Sequence, residues 1–218
     1  MVINKINVPI YGILIISSIL IGTFYIALNL KKEGIKKEYI LYYSILVIVF
    51  SLIGSISLSR IVNADSLNSY MGAISVIACS LIFNKIVPNK NIYLKYSIIS
   101  LPLIYSIGKI GCFLVGCCYG IPYNGILSVT YTDGLNISLF PIQALEVIVF
   151  FMLFIILNKL KKNKHIIELT LIICALSKFL LDFLRYDHVT KIITTNQIIS
   201  IVVIVIGIFL IIKKNRLV

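Results

Sequence analysis

Long apolar stretches alternate along this chain with short connections that hold most of its charged residues. A transmembrane helix needs about 20 predominantly apolar residues, and dividing the chain at its charge clusters and turn residues leaves seven candidates. They cover residues 8–30, 39–59, 70–84, 94–118, 139–157, 166–184 and 195–212. The pattern predicts an all-α polytopic membrane protein with seven transmembrane helices, which form a single domain over residues 1–218.

The first and fourth stretches have features of their own. Val8 to Leu30 is long enough to span and has no small-residue cleavage site, so it is predicted to be a mature helix and not a signal peptide. The fourth stretch is interrupted by Pro102, Gly108, Gly111 and Gly116. Irregular, partly re-entrant backbone is therefore expected there, covered by protein or lining a wet cavity.

Composition excludes a soluble globular domain. Hydrophobic residues make up 60% of the 218 residues and charged residues 13%, with a mean hydropathy of +1.05. A soluble domain has about 45–50% apolar and about 25% charged residues. The five cysteines are too few and too unevenly placed for a disulfide scaffold.

The net charge of +12 records membrane topology and is no evidence for nucleic-acid binding. Fourteen of the 20 basic residues lie in the first, third and fifth connections and in the C-terminal tail. Positively charged connections stay in the cytoplasm, so the N-terminus is predicted outside and the C-terminus inside. The fourteen are Lys31, Lys32, Lys36, Lys37, Lys85, Lys90, Lys95, Lys159, Lys161, Lys162, Lys164, Lys213, Lys214 and Arg216.

The sixth stretch carries charged residues at membrane depth, where they are costly and usually line a functional cavity. Lys178, Asp182 and Arg185 follow i, i+4, i+7 spacing, which puts the acid between two bases on one helix face. This face is predicted to lie near the outer end of the helix. The alternative is a neutralised triad that only fixes how two helices pack.

The fifth stretch adds Gln143 and Glu146, which are three residues apart and face the same way near the outer end. Glu168 lies beside cytoplasmic lysines and is predicted to be an interfacial charge without a role in the site. His165 and His188 lie at the ends of stretches with no partner at ligand spacing, so no metal site is expected there.

The densest motif is G-K-I-G-C-F-L-V-G-C-C-Y-G, residues 108–120. Lys109 in such a glycine-rich segment is placed to hold a phosphate or another anion, through its charge and nearby amides. Close helix packing explains the glycines but not the lysine. Cys112, Cys117 and Cys118 are compatible with nucleophiles, a redox pair or small apolar fillers. A membrane thiol oxidoreductase therefore stays open as an alternative.

Polar residues from several stretches converge on the outer half of the predicted bundle. This convergence predicts one polar cavity, open to the outer leaflet and walled by several helices. The residues are Tyr11, Tyr70, Lys109, Glu146, Asp182, Arg185 and Gln197.

These segments resemble the motifs of the prolipoprotein diacylglyceryl transferases. Residues 108–120 resemble that family's G-R-x-G-N-F-x-N-G-E-x-x-G, and Lys178, Asp182 and Arg185 resemble its R-x-x-x-E-x-x-R helix. Residues 140–146, F-P-I-Q-A-L-E, resemble its H-P-x-Q-L-Y-E segment.

Three weaker matches follow in the same order. Residues 69–73, S-Y-M-G-A, fall where the family has S-F-H-G-G, and Tyr11-Gly12 matches its first-span tyrosine and glycine. Gln197 precedes an apolar stretch that matches its last helix. The resemblance covers nearly the whole chain and implies the same architecture of seven spans with the N-terminus outside.

The resemblance implies transfer of a diacylglyceryl group from phosphatidylglycerol to the acceptor cysteine of a secreted prolipoprotein. The reaction would take place at the outer face of a bacterial plasma membrane, give a thioether and glycerol-1-phosphate, and need no metal or soluble cofactor. Lys109 and Arg185 would hold the phosphate, where negative charge develops. Lys178 and Asp182 would form an ion pair that positions them.

The remaining site residues follow from the same resemblance. Tyr70 would act in catalysis in place of the family's histidine. The substrate-binding residues would be Tyr11, Cys112, Cys117, Gln143, Glu146 and Gln197.

Lysine stands at 109 and 178 where the family has arginine. Lysine keeps the charge but loses bidentate phosphate geometry. A divergent paralogue that binds phospholipid without catalysis, or that uses another substrate, is therefore the alternative.

Overall fold

The computed structural model describes residues 2–3, 8–61, 69–87, 91–131 and 137–216, and this part of the chain is mainly helical. Each of the seven predicted stretches contains a helix, and the ends differ by a few residues. The helices are α1 Val8–Lys32, α2 Lys37–Ile61, α3 Ser69–Ile86, α4 Ile92–Val115, α5 Ile142–Lys159, α6 Ile166–Asp182 and α7 Thr195–Arg216.

By length and composition, five of the described helices can cross a membrane. They are α1, α2, α4, α5 and α7. The apolar part of α3, Tyr70–Ile86, is shorter, and α6 has only 17 residues. The chain is therefore a membrane-integral helical protein.

The predicted irregularity of the fourth stretch is wrong up to Val115, because α4 runs without a break through Pro102. Gly111 allows close packing of α4 against α1. A Cβ added at Gly111 would lie 3.2 Å from Cδ2 of Tyr11, whereas one at Gly108 would make ordinary contact at 3.5 Å from Cδ1 of Ile15. Small residues let helix backbones approach closely in membranes, which explains Gly111 without a break in the helix.

Two compact units divide the described chain, and α1 and α4 contribute to both. The unit of residues 17–105 has an aromatic core in which Tyr43 packs against Phe83 and Tyr93. The hydroxyl of Tyr43 lies 2.6 Å from the hydroxyls of both Ser80 and Ser97. Its polar end is thus satisfied inside an apolar core, as a buried hydroxyl requires.

The unit of residues 1–16 and 106–218 contains α5, α6 and α7. Helices α6 and α7 pack closely where Gly207 faces Ile172, since a Cβ at Gly207 would lie 2.6 Å from Cγ1 of Ile172. Strand β1, Val2–Ile3, pairs in parallel with strand β2, Thr130–Tyr131.

Glu168 also belongs to this unit, and it lies beside a basic residue at a helix end, as the sequence predicts. Its side chain is buried and pairs with Lys214 of α7 at 2.9 Å. A carboxylate on the first turn of α6 thus meets a cation on the last turn of α7, which fixes these two helix ends together.

Candidate functional site

The most buried charge of the site is the carboxylate of Glu146, which is 0% exposed. Its Oε2 lies 2.6 Å from Nζ of Lys109, and its Oε1 accepts a hydrogen bond from Nζ of Lys178 at 3.0 Å. Both lysines are buried as well. One carboxylate therefore joins cations from α4 and α6 inside the protein.

The connection between α5 and α6 explains how Glu146 meets Lys178. The two helices run in opposite directions on either side of a short connection, residues 160–165. Lys162 lies within that connection and is equally far along the sequence from Glu146 and from Lys178. An antiparallel hairpin brings such positions side by side. The sequence pairs Lys178 with Asp182 by helical spacing and misses this partner on the neighbouring helix.

Asp182 forms a second charged centre at the end of α6. Its carboxylate lies 3.8 Å from a terminal guanidinium nitrogen of Arg185 and 3.5 Å from Nε2 of His188. The hydroxyl of Thr194 donates to Oδ2, and Nδ2 of Asn196 donates to Oδ1 at 3.1 Å. The sequence predicts the Arg185 contact and misses the other three.

Thr194 has a second role at the start of α7. The backbone N–H of Gln197 donates to the Thr194 hydroxyl, and the Gln197 side-chain oxygen accepts from the backbone N–H of Thr194, both at 3.2 Å. This reciprocal pair is a capping box, and the T-x-x-Q spacing before an apolar run is its sequence pattern. That pattern could have identified Thr194 as the residue that ties α7 to Asp182.

Backbone geometry at the end of α4 turns the chain back toward the site. Gly116 has a φ of +68° and Cys118 a φ of +57°. The N–H groups of Gly116 and Cys117 both donate to the carbonyl of Cys112 at 3.0 Å, which closes the helix end. A Cβ at Gly116 would lie 2.6 Å from Cδ1 of Tyr131, so both the conformation and the space there require glycine.

The returning segment then pairs with the segment that carries Arg185. Gly120 and Arg185 form an antiparallel bridge, and the N–H of Tyr186 donates to the carbonyl of Tyr119 at 2.9 Å. A Cβ at Gly120 would overlap the carbonyl oxygen of Phe140. Three chain segments thus meet at Gly120, and this meeting places Arg185.

The three cysteines of the glycine-rich segment form one cluster. The Sγ atoms of Cys112, Cys117 and Cys118 all lie within 4.8 Å of one another. Hydrogen bonds from Cys112 and Cys117, together with the charges of Lys109 and Arg185, lower the pKa of the Cys118 thiol. The sequence leaves the role of these cysteines open. The spacing of the three cysteines along the chain does not predict that their sulfur atoms meet.

Two predicted substrate-binding residues contact this segment. The side-chain amide of Gln143 donates to the carbonyl of Cys117 at 2.7 Å, so α5 holds the returning loop. Tyr11 lies beside Gly111 and Cys112 of α4.

Tyr131 closes the other side of the returning loop. Burial raises the pKa of Tyr131 to about 12, and its hydroxyl donates to the carbonyl of Phe113 at 3.2 Å.

The structure brings most of the predicted site residues into one unit. They are Tyr11, Lys109, Cys112, Cys117, Gln143, Glu146, Lys178, Asp182, Arg185 and Gln197. Tyr70 lies at the start of α3 in the unit of residues 17–105, and its catalytic role stays a prediction. Matched position by position, S-Y-M-G-A aligns Met71 with the family's histidine and Tyr70 with its phenylalanine.

The five charged residues of the site do not balance. Lys109, Lys178 and Arg185 supply three positive charges, whereas Glu146 and Asp182 supply two negative ones, and all five are buried. Arg185 also lies near enough to Glu146 and Lys178 to interact with them electrostatically. These five side chains together carry one positive charge in excess.

Comparison with known proteins supports the resemblance seen in the motifs. A protein of Clostridium tetani (strain Massachusetts / E88) named phosphatidylglycerol–prolipoprotein diacylglyceryl transferase is 29% identical over 91% of this chain and 90% of its own length. One of that name from Finegoldia magna (strain ATCC 29328 / DSM 20472 / WAL 2508) is 27% identical over 94% of this chain and 91% of its own length.

A third relative, phosphatidylglycerol–prolipoprotein diacylglyceryl transferase 2 of Clostridium perfringens (strain 13 / Type A), is 31% identical over 64% of this chain and 57% of its own length. The family model described as prolipoprotein diacylglyceryl transferase matches residues 1–213. This match covers the helices, the charged cluster and the cysteine segment described above. The chain therefore belongs to the prolipoprotein diacylglyceryl transferase family.

Proposed function

We propose that this protein transfers the diacylglyceryl group of phosphatidylglycerol to an acceptor cysteine of a secreted prolipoprotein. Family membership supports the reaction class, and the excess positive charge of the buried cluster is the observation that carries the proposal for this chain. A phosphodiester headgroup has one negative charge. Its binding would neutralise a cluster whose charge is otherwise expensive to keep away from water.

The reaction is a displacement at carbon. The acceptor sulfur forms a bond to the glyceryl carbon that carries the phosphate, and the bond from that carbon to the phosphate oxygen breaks. The electron pair leaves with the oxygen, so glycerol-1-phosphate departs with more negative charge than the bound diester had. The thiolate is the nucleophile, and the proton of the acceptor thiol ends on the departing glycerol phosphate or in water.

The residues of the cluster would divide this work. Lys109 and Arg185 hold the phosphate and stabilise the charge that develops on the departing oxygen. Glu146 and Lys178 are positioning residues, because the Glu146 carboxylate contacts both Lys109 and Lys178. Asp182 is the positioning residue for Arg185, since its carboxylate oxygen lies 3.8 Å from a guanidinium nitrogen of Arg185.

Substrate binding would involve polar groups next to the cluster. Gln143 and Gln197 are both buried. Gln143 donates to the carbonyl of Cys117, and Gln197 accepts from the backbone N–H of Thr194, whose hydroxyl contacts Asp182. The substrate-binding residues of the proposal are Tyr11, Cys112, Cys117, Gln143, Glu146 and Gln197. Tyr70, which precedes Met71 at the position of the family's histidine, is proposed as a hydrogen-bond donor in catalysis.

The proposal includes a location and an orientation. All seven helices would cross a bacterial plasma membrane within one domain, with the N-terminus outside, and the cavity would open to the outer leaflet. The distribution of lysines supports this orientation. A secreted prolipoprotein would then meet the site on the side where it leaves the membrane.

The test uses the full-length protein in vesicles that contain phosphatidylglycerol, together with a synthetic peptide that carries the acceptor cysteine. We expect a thioether-linked diacylglyceryl peptide by mass spectrometry and release of glycerol phosphate in equal amount. A transferase of the Clostridium tetani type serves as the positive control. Binding of phosphatidylglycerol without product, under conditions where the control works, would reject catalysis and favour a phospholipid-binding paralogue.

A further inference from the structure

The proposed reaction gives Cys112 and Cys117 a part in substrate binding, but it does not explain why three thiols meet at one point. The three sulfur atoms lie within 4.8 Å of one another, and they come from residues of graded exposure. Cys112 is buried, Cys117 is partly buried and Cys118 is exposed. We propose that Cys112, Cys117 and Cys118 bind one zinc-class cation through their three sulfur atoms, a function beyond the transfer reaction.

The distances suit such an ion. Zinc–sulfur bonds of about 2.3 Å in tetrahedral geometry place the sulfur atoms about 3.8 Å apart. Sulfur atoms already within 4.8 Å need to move by less than about 1 Å each to reach that arrangement. Three protein ligands leave the fourth position of the ion to water or to another small ligand.

The backbone holds the three ligands in place before any ion binds. The carbonyl of Cys112 accepts from the N–H groups of Gly116 and Cys117, so the chain folds back over the last turn of α4. The side chain of Gln143 fixes the carbonyl of Cys117 from α5. Because the turn is already closed, binding does not need to order a flexible loop.

The type of ligand selects a zinc-class ion. Thiolate sulfur favours zinc-class ions over magnesium or calcium. Three thiolates and one divalent cation carry one negative charge together, so the bound site would not add positive charge beside Lys109 and Arg185.

The experiment uses the full-length protein in detergent micelles, with reduced thiols and without free reductant. Cobalt(II) is the probe, since its thiolate complexes absorb in the near ultraviolet and zinc replaces it. We expect an absorption that saturates at one cobalt per chain and disappears when one equivalent of zinc is added. Absence of this absorption would overturn the proposal.

Cysteine variants provide a matched control. A Cys79→Ser, Cys174→Ser variant should keep the cobalt absorption, because these two cysteines lie outside the cluster. Changing the three cluster cysteines to serine should abolish it. Absorption that survives in the triple variant, or that is lost in the control, contradicts the assignment.

Thiol labelling of the wild-type protein gives a readout that does not depend on any variant. We expect zinc to protect three of the five cysteines from alkylation, and mass spectrometry to identify them as the cluster. Equal labelling with and without zinc, or a disulfide within the cluster that forms in the presence of zinc, would overturn the proposal. Neither the cobalt absorption nor the thiol labelling depends on transferase turnover. A negative result in these experiments would therefore reject the metal site without rejecting the proposed function.

Discussion

The Nζ of Lys178 donates to Oε1 of Glu146 at 3.0 Å across the α5–α6 hairpin, and both side chains are buried. The other oxygen of the same carboxylate holds Lys109 at 2.6 Å. Removing the acid therefore affects two cations at once. This relationship makes Glu146 the residue on which the charged site depends most.

Replacing Glu146 by glutamine should strongly destabilise the protein. It leaves two buried lysines without their carboxylate, and breaking a buried ion pair on one side costs about 3–5 kcal/mol. We also expect transfer activity to fall, because Lys109 is no longer positioned. Thermal unfolding in detergent and the vesicle assay measure the two effects.

The matched control is Glu33→Gln in the other unit. Glu33 pairs with Lys95 at 3.0 Å and also accepts a hydrogen bond from Tyr96, but the side chains of the ion pair are partly exposed. Exposed pairs contribute about 0–1 kcal/mol. Similar losses from Glu146→Gln and Glu33→Gln would contradict a special role for the buried carboxylate.

Changing Lys109 tests phosphate binding directly. Lys109→Met should lower turnover by about 100-fold or more, the usual effect of removing a group that stabilises developing charge. Lys109→Arg should retain activity, because it keeps the charge and adds a bidentate fork. Release of glycerol phosphate is the measurement.

The control for that experiment is Lys191→Met, which removes an exposed base between α6 and α7. It should leave turnover close to the wild-type value. If Lys109→Met and Lys109→Arg lose activity equally, packing at this position matters and charge does not.

Thr194 should contribute both to the helix and to the site. Thr194→Ala removes the cap of α7 and a hydrogen bond to Asp182, so we expect a loss of about 1–2 kcal/mol in unfolding free energy. Thr194→Ser should keep most of the stability, since it retains the hydroxyl. Thr190→Ala, an exposed threonine on the same connection, is the comparison by thermal unfolding.

Gly120 should not tolerate alanine. The added Cβ would overlap the carbonyl oxygen of Phe140, and forced overpacking costs about 1–3 kcal/mol. The same change at Gly12 meets no atom within 4 Å and lies in a helix, where alanine is favoured by about 1 kcal/mol. Opposite shifts of the unfolding temperature are expected; equal shifts would reject the close approach at Gly120.

The proposed orientation can be measured with a phosphatase that is active only outside the cytoplasm. Fused after Lys191, between α6 and α7, it should be active; fused after Arg216, at the end of α7, it should be inactive. The reverse pattern would invert the topology and move the charged cluster to the cytoplasmic side.

Helix positions could be predicted from the sequence because they depend on local hydropathy. Every predicted stretch contains a helix, and α6 begins at Ile166 as predicted. The error in the fourth stretch arose because Pro102 and the glycines were read as breaks. In α4, Gly111 instead allows α1 to approach, a relationship that depends on a distant segment.

The composition of the charged site was predicted, but its contacts were not. Helical spacing identifies only partners of Lys178 on its own helix. It does not show which face of α5 lies against Lys178. The hairpin symmetry about Lys162 would have found Glu146. The partners of Asp182 depend on how α7 starts, and the capping pattern at Thr194 and Gln197 was the available signal.

The ion pair between α5 and α6 also bears on how the proposed topology would be reached during synthesis. Helix α6 has only 17 residues and carries Lys178 and Asp182 near its C-terminal end, and charged residues within a spanning helix oppose insertion. Helix α5 is made first and brings Glu146. In the proposed topology the two helices would insert as a hairpin, with Glu146 neutralising Lys178, so α6 would depend on its predecessor to enter the bilayer.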